Sequence, residues 1–237
     1  MYRLIVSDYD GTLVTPSEQE LSPEFFTKLH SITNRGTLFA VASGRPYNQL
    51  KRLFAPAAGE VVFICNDGAQ IMYKNCVLYK RTIDTFIAKR LCAEAFDSGM
   101  TPILALREEN HTVKTEQLSL PFFVSGDIFK LIIAKNGRSA EKLEKAAVSA
   151  NLRCCFCDDT FIEFCHKDAD KGKALRQLMQ KFSVLPQQAA VLFDGKNDLP
   201  MLPFTEHRFA VSAAEEPIRR QATDIIENGQ QFLLSLH

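Results

Sequence analysis

The sequence carries no net charge that would betray a partner: 28 lysines and arginines balance 28 aspartates and glutamates. No global positive field gathers a polyanion, and no dense basic stretch replaces one, so nucleic acid is not an expected partner. No run of about 18 apolar residues occurs, which excludes a membrane-spanning helix and argues against a membrane partner. The opening MYRLIVSDYDG turns acidic after a few apolar residues. That is too short for a signal-peptide core and predicts a cytoplasmic protein. The seven cysteines are odd in number and do not form two spaced C-x2-C pairs. A zinc module built from Cys154, Cys155, Cys157, Cys165 and His166 is therefore disfavoured, and reduced thiols on strands are expected. There is no G-x4-G-K-[ST] loop, which argues against a P-loop nucleotidase. Internal repeats and low-complexity tracts are absent too.

What is present is a globular composition, 46% hydrophobic and 24% charged over 237 residues, enough for one large domain or a domain with a smaller insert. The start reads as strand, helix, strand, helix, strand. Apolar runs at Arg3–Ser7, Thr37–Ala42 and Val61–Cys65 alternate with helices, the first opened by Ser22 as cap and Pro23 at the first helical position. This spacing predicts right-handed βαβ units and a parallel sheet, whose ligands bind at the C-terminal strand ends. Those ends read DYDGT, SGRP and NDGA.

The pattern then changes. A hairpin is expected around Lys74-Asn75, followed by a helix from about Thr85 to Phe96. Alternating strands at Ile103–Leu106, Ile128–Ala134 and Arg153–Phe156 follow, with a helix from Ser139 to about Ala150. These predict a separate α+β insert over residues 82–163, set into a core of 1–81 plus 164–237. The parallel pattern resumes with a helix from Lys171, a strand at Ala189–Phe193, and short terminal strands near Phe209–Val211 and Asp224–Ile226.

Four segments carry the chemistry. Asp8 and Asp10 lie two residues apart after a buried strand, where paired carboxylates are costly without a positive partner. On an extended strand both would face one side, and a divalent cation with a taste for oxygen, such as Mg²⁺, would relieve the repulsion. Gly11 permits the chain to turn away. Ser43 and Gly44 stand at the next strand exit, where a hydroxyl and backbone N–H groups at a helix start suit a phosphate oxygen. Lys171 opens a helix, where its charge opposes the helix dipole, so a role toward an anion is expected; Lys173 is read as a surface lysine. Asp194, Asn197 and Asp198 follow a further apolar strand. Converging at one sheet edge, these groups supply a nucleophile, an acid/base, metal ligands and a charge-neutralising lysine, which is what phosphoryl transfer needs.

The segments DYDGTLV, VASGRP, CNDGAQI, DKGKAL and FDGKNDLPML stand in the order found in the haloacid dehalogenase superfamily, and the chain resembles its Cof-type, subfamily IIB branch of sugar-phosphate phosphatases. The resemblance implies an α/β fold with a Rossmann-like parallel-sheet core and an inserted α+β cap over 82–163. It implies Asp8 as nucleophile, Asp10 as general acid and then base, and Ser43, Gly44, Lys171 and Asn197 around the phosphoryl group. Mg²⁺ would be held by Asp8, by the Asp10 backbone carbonyl and by Asp194, with Asp198 contributing through water or holding Lys171 instead. The chain departs from the family in having Phe193 where a glycine is usual before Asp194, and in a shorter insert.

The expected partner is a small phosphorylated metabolite, acted on by a monomer or homodimer. The alternatives are a phosphomutase or phosphotransferase using the same aspartyl-phosphate, a phospho-accepting regulatory module, and a non-catalytic phosphometabolite-binding protein. In the insert, Glu108, Glu109, Asn110, His111, Phe122 and Phe123 are weak candidates for substrate contact, and most of the 18 phenylalanines are expected in the core.

Overall fold

The computed structural model describes residues 2–15, 20–106, 110–119 and 124–236. In chain order the strands and helices begin with β1 (Leu4–Asp8), α1 (Pro23–Asn34), β2 (Leu38–Ala42), α2 (Tyr47–Leu53), β3 (Val61–Cys65), β4 (Gln70–Tyr73) and β5 (Cys76–Lys80). Then come α3 (Thr85–Asp97), β6 (Thr101–Ala105), β7 (Asn110–Thr112), β8 (Lys130–Ala134), α4 (Glu141–Ser149), β9 (Leu152–Cys157) and β10 (Phe161–His166). The chain closes with α5 (Lys171–Phe182), β11 (Ala189–Phe193), β12 (His207–Val211), α6 (Glu216–Arg219), β13 (Asp224–Ile226) and α7 (Gly229–Ser235).

Two compact units result. The first comprises Met1–Arg45, Leu50–Tyr79 and Asp170–His237; the second comprises Pro46–Gln49 and Lys80–Ala169. The first is built on an eight-stranded sheet in the order β13-β12-β11-β1-β2-β3-β4-β5. From β13 to β3 every pairing is parallel, and β4 runs antiparallel to β3. All five residues of β1, β3 and β11 are buried, which is why these strands are continuous apolar runs rather than alternating ones. The fold is the α/β, largely parallel arrangement expected.

Local chemistry sets the element ends. Ser22 caps α1 by accepting the Phe25 N–H at 3.1 Å, with Pro23 in the position where its missing N–H costs nothing. Phe25, Leu29 and Ile32 form the buried stripe of that helix. Lys74 and Asn75 at the β4–β5 turn have φ of 48° and 63°, the left-handed pair that a two-residue hairpin requires. One face of the sheet is held by an aromatic cluster centred on Phe54, whose ring lies 5.9–6.4 Å from those of Tyr9, Phe25, Phe26, Phe39 and Phe63. Burying a ring of this size contributes about 2–3 kcal/mol each. Not every phenylalanine is interior: Phe86 on α3 is 76% exposed.

The second unit carries a five-stranded antiparallel sheet in the order β7-β6-β8-β10-β9. Leu104, Leu131, Ile133, Ile162 and Phe164 pack from it against Leu91, Ala95, Leu143 and Ala147 of α3 and α4. Two of its strands, β7 and β10, are not anticipated by the sequence patterns. The boundary expected at 163 falls inside β10, because the acidic Glu163 in the middle of Phe161–His166 masks its alternation. The unit runs on to Ala169.

Candidate active site

The parallel sheet brings the exits of β1, β2, β3 and β11 to one edge. Asp8 is the last residue of β1 and pairs in register with Ala42, so Ser43 follows β2 by one residue. Asp194 follows β11 in the same way. Lys171 is the first residue of α5, whose cap Asp170 accepts the Lys173 N–H at 2.7 Å. The exposed Lys173 pairs with Asp170 at 3.4 Å, as a surface lysine does.

These exits converge. The Lys171 ammonium donates to Asp8 Oδ1 at 2.6 Å and to Asp198 Oδ1 at 2.7 Å. All three side chains are almost fully buried. Asp8, Asp194 and Asp198 each bring a carboxylate oxygen within 4.8 Å of the others. Gly11, at φ +91°, lets Asp194 approach: a β-carbon there would collide with the Asp194 carboxylate.

The charges explain one another only in part. Burial alone would pull the Lys171 pKa down, but Asp198 and Asp8 outweigh it and raise it, so the ammonium stays charged. Burial pushes Asp8 well above the usual carboxylate range, and the nearby Asp198 and Asp194 charges push the same way against Lys171. Burial and the Asp198 charge raise Asp194 as well. Three carboxylates against one ammonium leave two negative charges in a buried cluster. An all-oxygen donor set with that surplus fits a hard divalent cation.

Asp10 stands differently from the sequence expectation. The strand stops at Asp8, and the N–H groups of Leu13 and Val14 turn back onto the Tyr9 carbonyl. Strand alternation therefore does not carry the Asp10 carboxylate to the side of Asp8. Instead Arg45 grips it through two bonds of 2.8 and 2.6 Å while lying 5.3 Å from the centre of the Tyr9 ring. Ser43 is buried, and its hydroxyl accepts the Arg45 N–H at 3.2 Å. Gly44 is half-buried beside it. Two contributors escaped the sequence reading although their motifs were in view: Arg45, one residue after the serine and glycine, and Thr12, whose hydroxyl donates to Asp194 Oδ1 at 3.0 Å.

The model of one family, the haloacid dehalogenase-like hydrolases, matches residues 5–231. The chain belongs to that family. A 5-amino-6-(5-phospho-D-ribitylamino)uracil phosphatase of Escherichia coli (strain K12) is 24% identical over 232 residues, covering 90% of this hydrolase and 86% of the relative. Among solved structures, a haloacid dehalogenase-like hydrolase from Bacteroides thetaiotaomicron superposes with a TM-score of 0.82 at 20% identity, covering 98% of both chains. A sugar phosphatase of subclass IIB gives 0.71 at 19% identity, covering 94% of this chain and 92% of its own.

The remaining residues of the hydrolase fall into place around this centre. The Phe193 ring is fully buried in the core cluster that also holds Leu175, Leu178 and Met201, and Asp194 follows it at the strand exit. Asn197 is exposed on the loop between Asp194 and Asp198. Asp198 Oδ2 accepts the Gly195 N–H at 3.1 Å while Oδ1 holds Lys171, so its observed contact is with the lysine. Asn110 and His111 lie on β7, with His111 bonded to Gln117; Glu108, Glu109, Phe122 and Phe123 lie outside the described residues. Across a bulge in the β9–β10 pairing Cys154 stands opposite Phe164 and Cys157 opposite Ile162; Cys165 is buried and Cys157 is exposed. Among the described residues no helix is long and apolar enough to cross a membrane.

Proposed function

We propose that this hydrolase is a Mg²⁺-dependent phosphatase that removes the phosphoryl group from a small phosphomonoester, a sugar phosphate or related metabolite, through an aspartyl-phosphate at Asp8. The observation that carries the reading is the buried Asp8–Lys171–Asp198 arrangement with Asp194 beside it. The names of the phosphatase relatives support it. Asp8, the Asp10 backbone carbonyl and Asp194 would hold Mg²⁺, which supplies charge neutralisation for the phosphoryl oxygens and keeps Asp8 ionised despite its burial.

In the first step an Asp8 carboxylate oxygen bonds to phosphorus as the bond to the leaving oxygen breaks, and Asp10 gives its proton to the departing alkoxide. In the second, Asp10 takes a proton from water, whose oxygen attacks phosphorus and releases Asp8. Lys171 and Ser43 bind the phosphoryl oxygens, and Asn197 orients the group. The fixed ammonium needs no reorganisation when charge develops. The Arg45 fork fixes the direction of the ionised Asp10 carboxylate, and one of its two bonds opens when Asp10 carries the proton. The second unit is the cap and selects the leaving group.

Phosphate release from p-nitrophenyl phosphate and a panel of sugar phosphates, with and without Mg²⁺, tests this. Wild type should turn over only with the metal. Asp8→Asn, which keeps shape but not nucleophilicity, should lose at least about 10³-fold. Substantial turnover by that variant, free of wild-type contamination, would remove Asp8 from the role.

A further inference from the structure

Asn66, Asp67 and Gly68 follow β3 with φ of 51°, 53° and 88°. Three consecutive residues in the left-handed region are uncommon, because a β-carbon there crowds the following carbonyl; asparagine and aspartate bear it better than most. The turn these residues make is tied on one side to the serine loop. The Asn66 N–H donates to the Arg45 carbonyl at 3.0 Å and the Asp67 N–H to the Ser43 carbonyl at 3.1 Å. On its other side it is pressed onto the start of α5. A β-carbon at Gly68 would collide with the Asp170 carbonyl oxygen and come within 2.7 Å of the Lys171 backbone nitrogen.

The Asn66 side chain does not explain its own presence. It is fully buried, and among the described residues neither its Nδ2 nor its Oδ1 has a hydrogen-bond partner. Leaving a buried amide unsatisfied is unfavourable, so what the position requires is the backbone conformation that asparagine tolerates.

We infer that the Asn66–Gly68 turn is a positioning device that fixes Ser43 and Lys171 relative to each other, and so sets affinity for the phosphoryl group without touching it. The inference rests on the phosphatase reading above, in which those two side chains bind the same group. They come from separate elements, β2 and α5, and the turn is bonded to one and in close contact with the other. A displacement of about 1 Å between two groups that bind one anion is enough to cost binding and rate heavily.

The test uses the full chain with Mg²⁺, p-nitrophenyl phosphate as substrate and inorganic phosphate as competitive inhibitor. Gly68→Ala and Asn66→Val, which oppose the left-handed turn, should raise KM and the phosphate inhibition constant together by about tenfold or more. Asn66→Gly removes the carboxamide but accepts the conformation, and its effect should be at least about fivefold smaller than that of Asn66→Val. Asn66→Ala, a milder strain, takes the place of any variant that shows no melting transition.

A merely structural role would lower melting temperature and the active fraction while leaving KM and the inhibition constant as they are. That result in the folded variants overturns the inference. It is equally overturned if Asn66→Gly weakens phosphate as much as Asn66→Val, since the carboxamide would then be the active element. A wild-type chain that binds phosphate but releases none would sink the phosphatase reading alone. The variant-to-wild-type ratio of phosphate Kd, from ³¹P NMR, would still decide the role of the turn.

Discussion

The two units solve the problem of buried charge in opposite ways. In the parallel-sheet unit, Asp8, Lys171 and Asp198 are buried together at the strand exits, with Asp194 half-buried beside them. In the antiparallel unit the buried Lys130 sits within β8 and donates to Glu163 of β10 at 2.9 Å. Parallel strands all end on one edge, so side chains from distant parts of the chain meet there. Antiparallel neighbours end on opposite edges, and a charge within the sheet finds its partner across the ladder. The first arrangement sets three carboxylates around one ammonium; the second bonds a lysine to a carboxylate of the neighbouring strand.

The comparison breaks most sharply at Lys171. Lys171→Met strands Asp8 and Asp198 in the interior without their cation, which should cost about 3–5 kcal/mol in a urea melt. Hydrolysis of an aryl phosphate should fall at least about 10²-fold. A variant as stable and active as wild type would show that the lysine is not what holds the carboxylates together.

Mg²⁺ should separate the units next. Burial raises the pKa of Asp8 and Asp194 in the folded chain above the ordinary carboxylate value. The folded state thus holds protons that the unfolded chain has released. Without metal, their contribution to stability is intact at acid pH and is lost as pH rises from the ordinary carboxylate range through the raised values. Metal binding requires the ionised carboxylates, so Mg²⁺ should raise Tm more at pH 7.5 than at pH 5. Near 100 times Kd the gain is about 2.7 kcal/mol, or several degrees. Equal shifts at both pH values would count against this cluster as the metal site.

A smaller effect is expected in the second unit. Lys130→Met should lower stability by about 2 kcal/mol, less than the full cost of breaking a buried pair because Glu163 keeps some exposure. Substitution of both partners should recover part of the loss, and turnover of p-nitrophenyl phosphate should stay within about threefold. Smallest of all is a labelling difference that crosses both units. Burial pushes the Cys65 thiol far up and Cys92 to about 12, whereas Cys76 and Cys157 are exposed. Native alkylation read by mass spectrometry should modify Cys76 and Cys157 first; early modification of Cys65 or Cys92 would place them wrongly.

The same contrast governs how much could be read from the chain beforehand. Runs such as Leu4–Val6 and Ala189–Phe193 are apolar throughout because helices cover both faces, and each ends in a polar motif, so strand and site announced themselves together. In the antiparallel unit β10 hides behind the acid in Phe161–His166, and the three residues of β7 are too few to show a period. At the site, Asp8, Ser43, Lys171 and Asp194 were legible as strand-exit and helix-start residues. The exposed grip of Arg45 on Asp10 was not, since it depends on the chain turning at Tyr9 rather than continuing extended. Nor was the Asn66–Gly68 turn, whose meaning lies in backbone angles rather than in side-chain type.

The ring at Phe193 gives the neighbouring acid a hydrophobic footing. The last residue before Asp194 is anchored in the core cluster that also holds Leu175, Leu178 and Met201. Rigidity at that exit is borrowed from the hydrophobic interior instead of from the loop itself. Attempts to remodel the loop for a new leaving group can therefore start at the exposed Lys196 while the aromatic plug keeps the acid in place.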